Sequence, residues 1–198
     1  MRRRPNTEPR AAPRARCGEG ITDMPWTDPA AELADLSVPD RRRWVLRHAI
    51  DPALAELGRL PSRDRARVML LAIAGVESGC LHRQQLGGGP AHGLWQFERT
   101  GGCVGVLRHQ ASAERMHVAM ERRGLQATPH ELWQAIAGDD VLAAIAARLL
   151  LLTDPAPMPG DVVAGRAVYL RTWRPGKPCT EAKWWDAWSL AGDTVPPP

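Results

Sequence analysis

The stretch LLAIAGVESGCLHRQQLGGGPAHGLWQFE, residues 70–98, decides how this chain is read. An unbroken apolar run from Val68 to Val76 ends at Glu77, and Ser78-Gly79 follow as a helix stop. A carboxylate in the last turn faces the negative end of the helix dipole. Ile73 and Ala74, one turn back, add apolar surroundings. Both effects disfavour the ionised form and predict a raised pKa. A carboxyl that keeps its proton near neutral pH is suited to general acid work. A solvated Glu at a frayed helix end has the same local sequence, so position alone does not choose between the two.

Working outward, the periodicity predicts an all-α chain with a long Gly-rich loop and at most a small β element. A short helix is expected over 29–36. A longer one follows over 40–57, kinked or split at Pro52 and ended by Gly58. The helix from Ser62 to Glu77 is apolar on every side in its later turns, which marks it as buried. Residues 79–106 are Gly-rich and carry no helical period, and so long a loop in a compact domain tends to carry function. Helices are expected again over 112–123, 129–137, 139–152, 162–173 and 180–190. Residues 1–25 read as a flexible Pro/Arg-rich arm, 26–191 as one domain and 192–198 as a loose tail.

The net charge of +4 belongs to the arm. Residues 1–20 hold six Arg and two Glu, and the other 178 residues hold 20 basic and 20 acidic side chains. The basicity therefore predicts no specific nucleic-acid surface on the domain. No segment reaches the roughly 18–20 apolar residues that cross a bilayer, and no apolar stretch behind the first arginines marks a signal peptide. The four cysteines (Cys17, Cys80, Cys103, Cys179) form no Cys-x-x-Cys pair, and reduced thiols are the expectation. Cys80 and Cys103 flank the Gly-rich stretch, and a bridge between them stays open.

The pairing of Glu77-Ser78 with Gly93-Leu94-Trp95-Gln96, 16 residues further on, resembles the lysozyme-like superfamily. It is most similar to the goose-type lysozyme and soluble lytic transglycosylase branch, with Trp95 where that branch has Met. The likeness covers residues 66–98. It implies a lysozyme-like domain that cleaves the β-1,4 bond between N-acetylmuramic acid and N-acetylglucosamine, as a monomer and without metal or organic cofactor. Glu77 would be the catalytic acid and Ser78 would orient its carboxyl or a sugar. Gly93 would leave room for the glycan, Gln96 would line the cleft and Trp95 would stack on a sugar ring. Trp95 and Ser78 also have structural readings, as core packing and as a helix-end hydroxyl.

Glu98 separates two reactions. Inverting hydrolysis places a second carboxylate roughly 6.5–9.5 Å from the first, with a water between them. A lytic transglycosylase uses one Glu, which gives a proton and then takes one from the muramyl C6 hydroxyl, closing a 1,6-anhydro ring. A surface Glu beside Arg99 is the other reading of Glu98.

A second similarity lies at AVYLRTWRPGKP, residues 167–178. Transglycosylases carry an Ala-Tyr-Asn-Ala-Gly stretch whose Tyr borders the catalytic Glu. Tyr169, the chain's only Tyr, takes that place, although Leu170 stands where the Asn would be. Trp173, Trp184 and Trp188 are available either as a glycan platform or as core. His130-Glu131 begins a zinc-protease pattern without its second His, and His82 and His92 suggest no metal site. Taken with the missing leader, the resemblance implies a bacteriophage lysin, held in the host cytoplasm until released to the wall or carried in the virion. Two alternatives remain: a non-catalytic glycan-binding protein of the same fold, and a nucleic-acid-associated scaffold led by the arm.

Overall fold

The computed structural model describes residues 33–196. The arm expected over 1–25 lies outside that range, as does the first half, 29–32, of the helix expected over 29–36. The described chain is helical, apart from one two-stranded hairpin.

The first long helix is split where proline demands it. Helix α1 (Val38–Val45) starts at Ser37, whose hydroxyl accepts the amide of Asp40. It widens into a π turn over Leu46–Ile50, in which the Asp51 amide reaches back five residues to the Leu46 carbonyl. Helix α2 (Asp51–Glu56) then begins with Pro52 in its first turn. Proline has no N–H and its ring crowds the carbonyl four residues back, so the wider turn relieves the clash. Gly58, at φ +71°, ends the segment as expected.

Helix α3 (Arg63–Glu77) is the central rod, with Met69, Leu70, Leu71, Ala72, Ile73 and Ala74 all fully buried. The Gly-rich stretch folds back on it as a hairpin of β1 (Ala91–His92) and β2 (Phe97–Glu98), antiparallel, with Ala91 opposite Glu98 and His92 opposite Phe97. The expected loop is shorter than predicted. A π turn over Arg99–Cys103 leads into helix α4 (Val104–Arg108). Gly102 signalled a loop in the sequence, yet it is a close approach: a Cβ there would lie 2.6 Å from the Phe97 ring.

Helices α5 (Ala113–Glu121), α6 (Pro129–Ala135) and α7 (Asp140–Leu151) follow. Thr128 caps α6 and Asp139 caps α7, each accepting an amide of the first turn. Every residue of α7 from Leu142 to Leu151 is buried. Helix α8 (Val162–Trp173) is capped by Asp161 and α9 (Glu181–Thr194) by Thr180. Helix α9 packs along α3. It runs to Thr194, past the expected end at Leu190, and Val195 beyond it is buried. Residues 192–195 thus belong to the domain and not to a loose tail.

Cys80, Cys103 and Cys179 are free thiols, so the bridge left open between Cys80 and Cys103 is not made. Burial pushes their thiols up, to about 11 for Cys80 and about 12 for Cys103, which keeps both unreactive. No helix among the described residues is long and apolar enough to cross a membrane.

Candidate active site

Three helices meet at the end of α3. Glu77 is its last residue, partly buried, and the Tyr169 hydroxyl of α8 donates to its Oε1 at 2.6 Å. Tyr169 itself is 1% exposed and stacks on the fully buried Trp184 of α9, with ring centroids 5.1 Å apart. Beside it, the Lys183 ammonium of α9 donates to the Val76 carbonyl at 2.7 Å. That bond satisfies one of the carbonyls left open at the helix end and places a cation there, where the dipole favours it.

The electrostatics follow from this packing. Burial raises the Glu77 pKa above its ordinary value; the Tyr169 hydrogen bond and the Lys183 charge oppose the rise without cancelling it. The sequence argument reached the same direction from the helix end and its own apolar neighbours. In the folded chain burial is the largest cause. Tyr169 is pushed up too, first by burial and then by the adjacent carboxylate, so it remains a donor.

The other residues singled out in the sequence fall into two groups. Ser78, Gly93, Trp95 and Gln96 tie the hairpin to the helices. The Ser78 hydroxyl is buried and lies 2.7 Å from the Leu94 carbonyl and 3.0 Å from that of Ala74, both acceptors. The helix-end reading of this hydroxyl is therefore the one observed. Trp95 is fully buried and its indole N–H donates to the Leu70 carbonyl at 2.9 Å, which makes it core and corrects the expectation of sugar stacking. Gly93 sits at φ +72°, and a Cβ there would meet the Ile136 carbonyl at 2.9 Å. It makes room for α6 and α7 rather than for a glycan. Gln96, itself at φ +51°, donates to the carbonyls of Gly93 (2.9 Å) and His82 (3.2 Å), holding the hairpin turn closed.

Trp173 belongs with Glu77. Its indole N–H donates to the Trp95 carbonyl at 2.9 Å, and its ring lies 6.3 Å from Tyr169 and edge-on to Phe97 at 5.9 Å. It is only partly buried. Glu98 is hydrogen-bonded to none of these side chains. Phe97 is the β2 residue that packs inward, and Glu98, next along the strand, is exposed, its side chain without a hydrogen-bond or ion-pair partner among the described residues. It is not among the groups that set the proton affinity of Glu77. Trp184 and Trp188 are packing residues. The Trp184 indole bonds the Val162 carbonyl, and the Trp188 ring covers Gly165.

Nothing in the sequence points to Lys183, beyond its being one of two lysines in a chain with 24 arginines. Cys179 was likewise missed, although it is an electrostatic neighbour of Glu77, Tyr169 and Lys183. Among the described residues no three His, Cys, Asp or Glu side chains converge as metal ligands. Comparisons with family models, curated proteins and solved structures returned no match for this chain.

Proposed function

We propose that this chain cleaves the glycan backbone of peptidoglycan at the β-1,4 bond between N-acetylmuramic acid and N-acetylglucosamine, with Glu77 as general acid. One observation carries the reading. Glu77 and Tyr169 are 92 positions apart, were singled out from two separate motifs, and meet in a 2.6 Å hydrogen bond. Burial supplies the raised proton affinity that an acid needs near neutral pH. Protonated Glu77 gives its proton to the glycosidic oxygen as the bond to the muramyl C1 breaks. Tyr169, a permanent donor, then steadies the carboxylate that forms.

The route taken here needs one carboxylate, because the groups that act on Glu77 are the Tyr169 hydroxyl and the Lys183 charge. Ionised Glu77 takes the proton of the muramyl C6 hydroxyl as its oxygen closes on C1, giving a 1,6-anhydro end and restoring the acid. Trp173, partly buried with its ring 6.3 Å from Tyr169, offers a ring to a sugar face. On the same reading the chain serves as a phage lysin.

Mass spectrometry of digested peptidoglycan is the test. Wild type is expected to release 1,6-anhydro muropeptides, and Glu77→Gln to lose about a hundredfold or more in rate while still folded. Reducing ends would return Glu98 to the mechanism. Binding without shortening of the glycan would overturn the catalytic reading in favour of a docking module.

A further inference from the structure

We propose that Lys183 is a positioning residue for Glu77: it fastens the acid-bearing end of α3 to α9 and keeps a cation beside the carboxyl without capturing it. The inference rests on Glu77 being the acid proposed above, and adds the group that governs it.

The first observation is where the ammonium goes. Lys183 is an exposed residue, and an exposed lysine ordinarily leaves its head in water. Here Nζ donates to the Val76 carbonyl at 2.7 Å, across 107 positions of chain. That carbonyl shares a peptide plane with the Glu77 nitrogen, so the bond fixes the backbone from which the acid projects. The turn that follows the helix serves a different acceptor: the Ser78 and Cys80 amides and the Ser78 hydroxyl all go to the Ala74 carbonyl. Glu77 is thus held at two points, by α9 at its backbone and by the Tyr169 hydroxyl of α8 at Oε1.

The second observation is that the cation is near but not paired. Among the described residues Lys183 makes no ion pair, with Glu77 or with any other carboxylate. A salt bridge would hold Glu77 ionised and spoil it as an acid. Tethered to the carbonyl, the ammonium acts through its charge alone, and it opposes the effect of burial. The other titratable groups around Glu77 are Tyr169 of α8 and Cys179, which precedes α9. Both are pushed up, first by burial, and stay neutral near neutral pH. Arg166 of α8, with Glu181 at 4.0 Å, acts on those two groups and not on Glu77. Among the described residues Lys183 is therefore the fixed charge that acts on the acid.

Residue type matters here, in a chain whose other basic side chains are arginines save Lys177. A guanidinium forks onto carboxylates, whereas an ammonium is a compact point charge. Lysine can serve the carbonyl and leave the neighbouring carboxyl free to exchange its proton. When Glu77 gives that proton up, the new negative charge falls beside a cation already in place, and no side chain has to move.

The test reads Glu77 directly, by NMR titration of its carboxyl carbon in the full chain, beside rate profiles for peptidoglycan digestion. Lys183→Met removes both charge and donor at similar length. Its Glu77 midpoint should move to higher pH, the alkaline limb of the rate should follow, and the maximal rate should fall about tenfold. Lys183→Arg keeps a cation and should show no rise. Lys183→Gln, neutral but polar, repeats the measurement if the Met variant does not fold. A midpoint unmoved by Met or Gln, or raised as much by Arg, would overturn the inference. The carboxyl titration needs no substrate, so a moved midpoint in a protein that cuts no glycan would uphold the role of Lys183 and fail the glycan reading alone.

Discussion

Glu77 is the residue on which pH acts most directly. Its pKa in the folded chain is raised above the ordinary 4.5. Between those two values the native state binds more protons than the unfolded chain, so stability falls as pH rises through that window. Glu77→Gln removes this dependence. Thermal melts should show the variant more stable than wild type at about pH 7, with the difference closing near pH 4; a pH-independent difference would contradict this. Tyr169→Phe acts on the same proton in another way. Without the donated hydrogen bond the ionised carboxylate loses a stabilising partner, so the Glu77 pKa rises further. The alkaline limb of the rate profile should therefore move to higher pH, while the maximal rate drops about tenfold through lost positioning. A drop in rate with an unmoved limb would assign Tyr169 to packing alone.

At the level of elements, the helices were legible from their apolar period. Their starts are fixed by caps that the period alone does not show: Thr128, Asp139, Asp161 and Thr180 each accept a first-turn amide. Glu77 and Tyr169 were legible as types in separate motifs. Their meeting was implied only by the resemblance; from the residues alone it could not be read, since it depends on how α8 lies across the end of α3. Trp95 and Gly93 were misread for the same reason: a residue that suits a cleft also suits a core, and only the packing decides. The glycines make the point measurable. A Cβ on Gly165 of α8 would stand 2.3 Å from the Trp188 ring of α9. Gly165→Ala should thus destabilise by about 1–3 kcal/mol in urea unfolding, despite the better helix former. Gly192 lies within α9 and nothing stands within 4 Å of where its Cβ would be, so Gly192→Ala should instead gain about 0.5–1 kcal/mol. Similar effects at both positions would show that the α8–α9 contact is loose.

On the scale of the whole molecule, charge and chemistry are separated. All of the net +4 lies in residues 1–20, and the candidate site lies on helices whose remaining charges balance. Removing residues 1–20 should leave both the melting temperature and the rate of glycan cleavage unchanged, as thermal melts and muropeptide release would show. A lost rate would give the arm a part in the reaction. The Lys183 bond to the Val76 carbonyl has a consequence for how the molecule comes into being. Its partners are 107 positions apart, and Trp184, the next residue along, stacks on Tyr169. Glu77 leaves the ribosome long before the helix that covers it. Until α9 docks, the carboxyl is solvated and ionises like any surface Glu, so the nascent chain is chemically idle and its acid is armed only when the last contacts close.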